Sequence, residues 1–196
     1  EWAADELIYL DISKDNNYNR RREENRYPNR NNFIDIIKDV AKTTFMPLTV
    51  GGKIETLDDI EKRLFLGADK ISINSKAIDD VNFINKSSKE FGNQCIVVSV
   101  DVKIEDGEHK VYCHKKNSSL KLDAKTFMKK CEENGAGEIL LNSVDRDGKG
   151  NGYDIEMINN ITQDLNIPII ICGGVSEWTH FSDGLKKTKA DAVAAA

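Results

Sequence analysis

No two cysteines stand at the close spacing of a zinc knuckle or a redox motif. Cys95, Cys113, Cys131 and Cys172 are far apart, and the three histidines, His109, His114 and His180, follow no ligand spacing. Neither a metal site nor a disulfide framework is expected, and no residue pattern asks for a cofactor. Positive charge is also scarce. The chain has 28 Lys and Arg against 33 Asp and Glu, a net charge of −5, the wrong sign for a protein that neutralises nucleic-acid phosphates. Long apolar runs are missing too. The longest, such as Ile167 to Cys172, fall well short of the ~20 residues that cross a bilayer. With no secretory pattern visible, the expectation is a cytoplasmic protein with reduced thiols that binds neither membrane nor nucleic acid.

What is present is a regular alternation. Seven β-branched runs read as strands: Glu6–Ile12, Pro47–Val50, Lys70–Asn74, Cys95–Val102, Glu138–Val144, Ile167–Cys172 and Asp191–Ala196. Between them apolar residues recur at helical spacing, as in Phe33, Ile34, Ile37 and Val40, or Ile155, Ile158 and Ile161. The strands are continuously apolar, which suits parallel strands buried on both faces, so the class is α/β with right-handed βα units. Two spacings are long. Residues 13–32 are a polar insertion rich in Asn, with Arg20, Arg21, Arg22, Arg26 and Arg30, read as a solvated loop. Residues 103–125 hold an alternating stretch after Asp106-Gly107, the signature of a hairpin excursion.

The chain also repeats itself. Thr49-Val50-Gly51-Gly52 resembles Ile171-Cys172-Gly173-Gly174, and each leads to an Ala-Asp pair. From Gly52 to Ala68 is 68 − 52 = 16 positions, and from Gly174 to Ala190 is 190 − 174 = 16. A glycine turn between a strand and a helix exposes backbone N–H groups to an anion. Two such turns suit a ligand with a phosphate at each end. Carboxylates and amides gather at other strand ends: Asp11, Asn74, Ser75, Asp101, Asn142, Ser143, Asp145 and Asp147. In a (β/α)8 barrel that end carries the active site, where a carboxylate serves as general acid or base.

Taken as a set, Gly135-Ala136-Gly137-Glu138 through Asp145-Arg146-Asp147-Gly148, Gly152-Tyr153-Asp154, Pro47-Leu48-Thr49-Val50-Gly51-Gly52, Gly67-Ala68-Asp69-Lys70 and Val97-Val98-Ser99-Val100-Asp101 resemble the cyclase subunit of imidazole glycerol phosphate synthase. The resemblance covers nearly the whole chain apart from the insertion. It implies a (β/α)8 TIM barrel of the ribulose-phosphate-binding type and a lyase of histidine biosynthesis. That enzyme takes ammonia from a glutaminase partner and cyclises a phosphorylated small-molecule substrate. Asp101 is then a catalytic acid/base. Asp11, Asn142, Ser143 and Asp147 line the substrate. Gly52, Asn74 and Ser75 hold one phosphate, and Gly148, Gly174 and Ala196 hold the other. Glu6, Lys70 and Glu138 match three members of a charged ammonia gate, and Asp69 matches a glutaminase contact.

Three departures qualify that expectation. The family's other catalytic Asp and its clamping loop precede the matched region, and Lys53 stands where a phosphate-loop glycine is expected. The insertion follows the strand of Asp11. A cyclase-like subunit that amidates sugars for surface polysaccharides is the alternative, and a barrel that only activates a glutaminase is a third reading. The seven strands correspond to the family's second to eighth, so a single domain, truncated at both ends and poorly soluble alone, is expected.

Overall fold

The computed structural model describes residues 4–13 and 32–196. The insertion at 13–32 lies almost wholly outside the described residues, its five arginines included. The chain forms two compact units, Glu1–Ile73 and Asn74–Ala196.

The first unit runs β1 (Leu7–Leu10), α1 (Phe33–Thr43), β2 (Leu48–Gly51), α2 (Leu57–Phe65), β3 (Lys70–Ile73). All three strands are parallel, with Leu7 beside Leu48 and Thr49 beside Lys70. Both helices begin at sites the sequence marks. The Asn32 side chain accepts from the Asp35 amide, and Thr56 and Asp59 form a reciprocal capping box. The buried core is aliphatic, with Ile37, Val50, Ile60, Ile71 and Ile73 excluded from solvent.

The second unit runs α3 (Ser75–Asp79), α4 (Asn82–Phe91), β4 (Ile96–Glu105), β5 (Glu108–Cys113), β6 (Ser118–Asp123), α5 (Ala124–Glu133), β7 (Glu138–Ser143), α6 (Ile155–Thr162), β8 (Ile169–Cys172), α7 (Trp178–Lys187) and β9 (Ala192–Val193). β4, β7, β8 and β9 are parallel neighbours in that order. From Ile96 to Val102 every residue of β4 is buried, as a strand covered on both faces should be. Beyond Val102 the strand continues and turns back through Asp106 and Gly107, both at positive φ, the backbone of a tight two-residue hairpin. β5 pairs antiparallel with β4, and β6 with β5. The excursion is therefore a three-stranded arm. Its last strand, Ser118–Asp123, escapes a periodicity reading because its six residues are all exposed or half-buried. Helix α4 escapes for a related reason: two of its four buried residues are Ser87 and Ser88. In α7 the fully buried residue is Gly184 while Trp178 is largely exposed, the reverse of an apolar-face pattern. Expected strand Asp191–Ala196 shortens to Ala192–Val193.

The repeat is visible in the backbone. The Asp69 carboxylate accepts from the Leu48 amide at 2.8 Å, and the Asp69 amide donates to Leu48 O at 2.8 Å. Asp191 clasps Ile169 in the same way, at 2.9 Å in both directions. Leu7 N donates to Pro47 O, and Ile139 N to Pro168 O, each at 3.0 Å. This register places Leu48 with Ile169, hence Gly52 with Gly173 and Lys53 with Gly174. All four have positive φ: 90°, 97°, 54° and 97°. The equal spacing of 16 instead pairs Gly52 with Gly174, one residue out, because the length difference falls after the glycine turn rather than in the strand. Among the described residues no helix is long and apolar enough to cross a membrane.

Candidate functional site

Asp101 sits on β4, 7 % exposed, and directly faces Asn142 on β7. Both of its carboxylate oxygens are held. Asn142 Nδ2 donates to Oδ1 at 2.9 Å, and Asn74 Nδ2 to Oδ2 at 2.8 Å. Asn74 starts α3 without capping it; its amide also reaches Ser99 O at 3.1 Å. A buried carboxylate needs such donors to remain ionised. A third neighbour is His114, just past β5, whose Nε2 lies 3.5 Å from Oδ2. Hydrogen bonding to Asp101 raises the imidazole pKa above its ordinary value, against burial, and Asp147 adds to the rise.

Sequence reasoning missed His114. The antiparallel arm returns it to Asp101, and the signal that could have exposed this was the hairpin turn at Asp106-Gly107, which folds the following alternating stretch back along β4.

The remaining expected residues of this unit surround the cluster in different ways. Among the described residues, Asn142 Oδ1 and Ser143 Oγ are buried and make no hydrogen bond, which in a native fold asks for a partner from outside. The Ser143 carbonyl accepts from the Asp147 amide at 2.9 Å, closing the turn after β7. Asp145 belongs to the scaffold: it accepts from the Ile104 amide at 2.8 Å and pins the arm. Gly148 is open, with nothing where a Cβ would be, whereas a Cβ on Gly174 would stand 2.4 Å from Gly152 O. Gly152 N in turn donates to Gly174 O at 2.7 Å, tying the two loops together. Ser75 is the half-buried first residue of α3, and Ala196 is exposed beyond β9. Cys172, at the end of β8, has its thiol pKa raised by burial, with Asp147 and Asp101 adding to it.

In the first unit Asp11 follows β1. Its Oδ1 accepts from the Ser13 amide and hydroxyl, at 3.0 and 2.6 Å, and Lys53 Nζ stands 3.3 Å from Oδ2. Burial pushes the carboxyl pKa up, but Ser13 and Lys53 together outweigh it and hold the pKa below the ordinary value. Gly52 leaves no room for a side chain, since a Cβ would lie 2.3 Å from Asp11 O. Its carbonyl accepts from buried Arg63 at 3.0 Å. Asp11, Ser13, Lys53 and Arg63, with Asn32, Phe33 and Ile34, line a cleft of about 200 Å³. The first expected phosphate group thus has members in both units, Gly52 in one and Asn74 with Ser75 in the other.

At the end of the first unit where the strands begin, Lys70 Nζ lies 3.1 Å from Glu6 Oε2. Glu138 is the half-buried first residue of β7 in the second unit. Asp69, expected as a partner contact, makes the clasp on Leu48 described above.

The profile of a family described as "Histidine biosynthesis protein" matches residues 24–196. A HisF subunit of imidazole glycerol phosphate synthase from Hydrogenobaculum sp. (strain Y04AAS1) is 44% identical over 197 residues, spanning 100% of this chain and 74% of that relative. The chain belongs to the HisF family. A second HisF subunit, from Saccharolobus solfataricus, is 42% identical over 196 residues and is likewise 74% covered. A putative hisF2 subunit from Vibrio vulnificus is 41% identical over 195 residues, 68% of its length. Parallel βα repeats in both units fit the (β/α)8 plan of HisF, and each relative is named as a subunit of a synthase. The sugar-amidating alternative gains no support, since all three relatives carry the name of imidazole glycerol phosphate synthase.

Proposed function

We propose that this chain is the cyclase subunit of an imidazole glycerol phosphate synthase. It is a cytoplasmic lyase that uses ammonia to form imidazole glycerol phosphate and AICAR from a bisphosphate ribulosyl intermediate. The observation that carries this reading is the carboxylate of Asp101, buried at the site and fixed by two amides. A base held this way is oriented before substrate arrives and needs little reorganisation during proton transfer. Asp101 would take a proton from the reacting nitrogen. The unsatisfied Asn142 Oδ1 and Ser143 Oγ would meet the substrate's polar groups. The Gly148 and Gly174 turns, with Ala196, would hold its second phosphate through backbone N–H groups.

A glutaminase partner would dock where the strands of the first unit begin. Phe45, ahead of β2, and Phe65, the last residue of α2, are 103% and 90% exposed, and large bare aromatics are the make-up of a contact surface. Glu6, Lys70 and Glu138 would gate ammonia, and Asp69 would touch the partner through the part of its side chain that faces solvent.

The test is direct. Given ammonium and the bisphosphate substrate, the protein should release imidazole glycerol phosphate, and Asp101→Asn should lower the rate about 10²- to 10⁴-fold with an unchanged circular-dichroism spectrum. Absence of product at high ammonium would overturn the reading.

A further inference from the structure

The arm formed by β4, β5 and β6 has no place in a simple βα repeat, yet it is well built. β4 is ten residues long against four to six for the strands parallel to it in this unit that carry the site, and its extra length is the base of the arm. Asp145 fastens that base through the Ile104 amide. Val111 and Cys113 bury the inner side of β5. The tip is braced as well. The Tyr112 ring meets the His114 ring edge-on at 5.0 Å, and Tyr112 OH donates to Asn117 at 2.8 Å. The result is that one imidazole is delivered to one oxygen of a buried carboxylate. His114 is 64% exposed on its other side.

We propose that His114 is a positioning residue for Asp101 that also carries its proton to water. This rests on the cyclase reading for the turnover and on geometry alone for the pairing. Asp101 gains one proton from the reacting nitrogen. The new O–H passes it to Nε2 of neutral His114, and the imidazolium releases one proton from its exposed ring to solvent. No electron moves and no further reactant is needed. The arm thereby resets the base without opening the site.

The charged and titratable groups that face His114 are Asp101 on β4, Asp147 in the loop after β7 and, through Tyr112, Lys103, whose ammonium lies 5.7 Å from that ring. Cys172 at the end of β8 feels the same two carboxylates. The carboxylates raise the imidazole pKa and dominate, so the neutral form that accepts the proton predominates only at pH above that raised value, and the relay is lost as pH falls through it.

Two measurements on the full protein separate the pairing from the turnover. The first follows the imidazole resonances of the three histidines across pH by NMR, with His114→Ala to assign them. The His114 midpoint should lie above the ordinary imidazole value and fall toward it in Asp101→Asn. A midpoint that is ordinary and unmoved overturns the inference, whatever the enzyme does. The second is the pH profile of ammonium-driven turnover. His114→Ala should lower kcat about tenfold with KM within about twofold. His114→Gln, which keeps a donor but cannot titrate, should restore folding and KM and still lack the limb set by the imidazole. Full rescue by Gln, profile included, makes the role merely structural and overturns the relay, as does an unchanged kcat in His114→Ala. An intact pairing in a wild-type protein that turns nothing over supports the pairing and overturns the cyclase reading instead.

Discussion

Asp11 and Asp101 occupy comparable places, each at the end of a parallel strand, and the structure treats them in opposite ways. Asp11 is held by a fixed cation, Lys53, and by Ser13. Its negative charge is locked in, and its proton affinity is depressed. Asp101 is held by two neutral amides and a titratable imidazole. A carboxylate paired with a lysine suits binding and polarity. A carboxylate paired with amides and a histidine suits proton transfer near neutral pH. Strand position alone does not separate the two carboxylates; the groups that neutralise them do.

The same contrast extends to the glycine turns, and the largest effect should appear there. Gly174→Ala forces a Cβ against Gly152 O at positive φ, while Gly148→Ala meets only the φ penalty in open space. Gly174→Ala should cost about 3 kcal/mol and Gly148→Ala about 1 kcal/mol in urea unfolding. Equal costs would erase the difference between a wedged turn and an open one. Next comes Asp11. Its folded pKa is lowered, so the stability it adds is fully present above the ordinary carboxyl value and is lost as pH falls through the folded value. Asp11→Asn should flatten that acid loss by up to about 1 kcal/mol in unfolding curves taken between neutral pH and strong acid. A loss that persists unchanged would remove Lys53 and Ser13 as the cause. The smallest effect belongs to Lys53→Gly. It relieves a left-handed backbone but deletes a partly exposed ion pair, and the two should cancel to within about 0.5 kcal/mol. A large loss would show that the lysine, not the turn, holds Asp11.

Much of this was legible from residue patterns. All seven core strands appear, and the motifs around Asp101, Asn142 and Gly174 do meet or adjoin one another. The missed features share a physical cause. Helix α4 buries Ser87 and Ser88 beside Phe83 and Ile84, α7 buries a glycine, and β6 has no buried face, so part of what each element packs inward is small or polar and does not announce itself as core. His114 was missed because its contact with Asp101 spans an antiparallel return, and the register of that return is a tertiary fact. Lys53 stands where the resemblance expects a phosphate-loop glycine. The backbone keeps the left-handed turn with a lysine in it, which aligns it with Gly174 rather than leaving it a defect. The equal 16-residue spacing misled because a count between motifs cannot say where an insertion falls.

The paired clasps of Asp69 on Leu48 and Asp191 on Ile169 act as proofreading for strand alignment. A slip of one residue turns every side chain of a strand to the opposite face. Here it would also separate the carboxylate from its amide and the neighbouring N–H from its carbonyl, so an error is penalised twice at its first step. Misalignment becomes a discrete fault rather than a gradual drift, and it is checked where the strands begin.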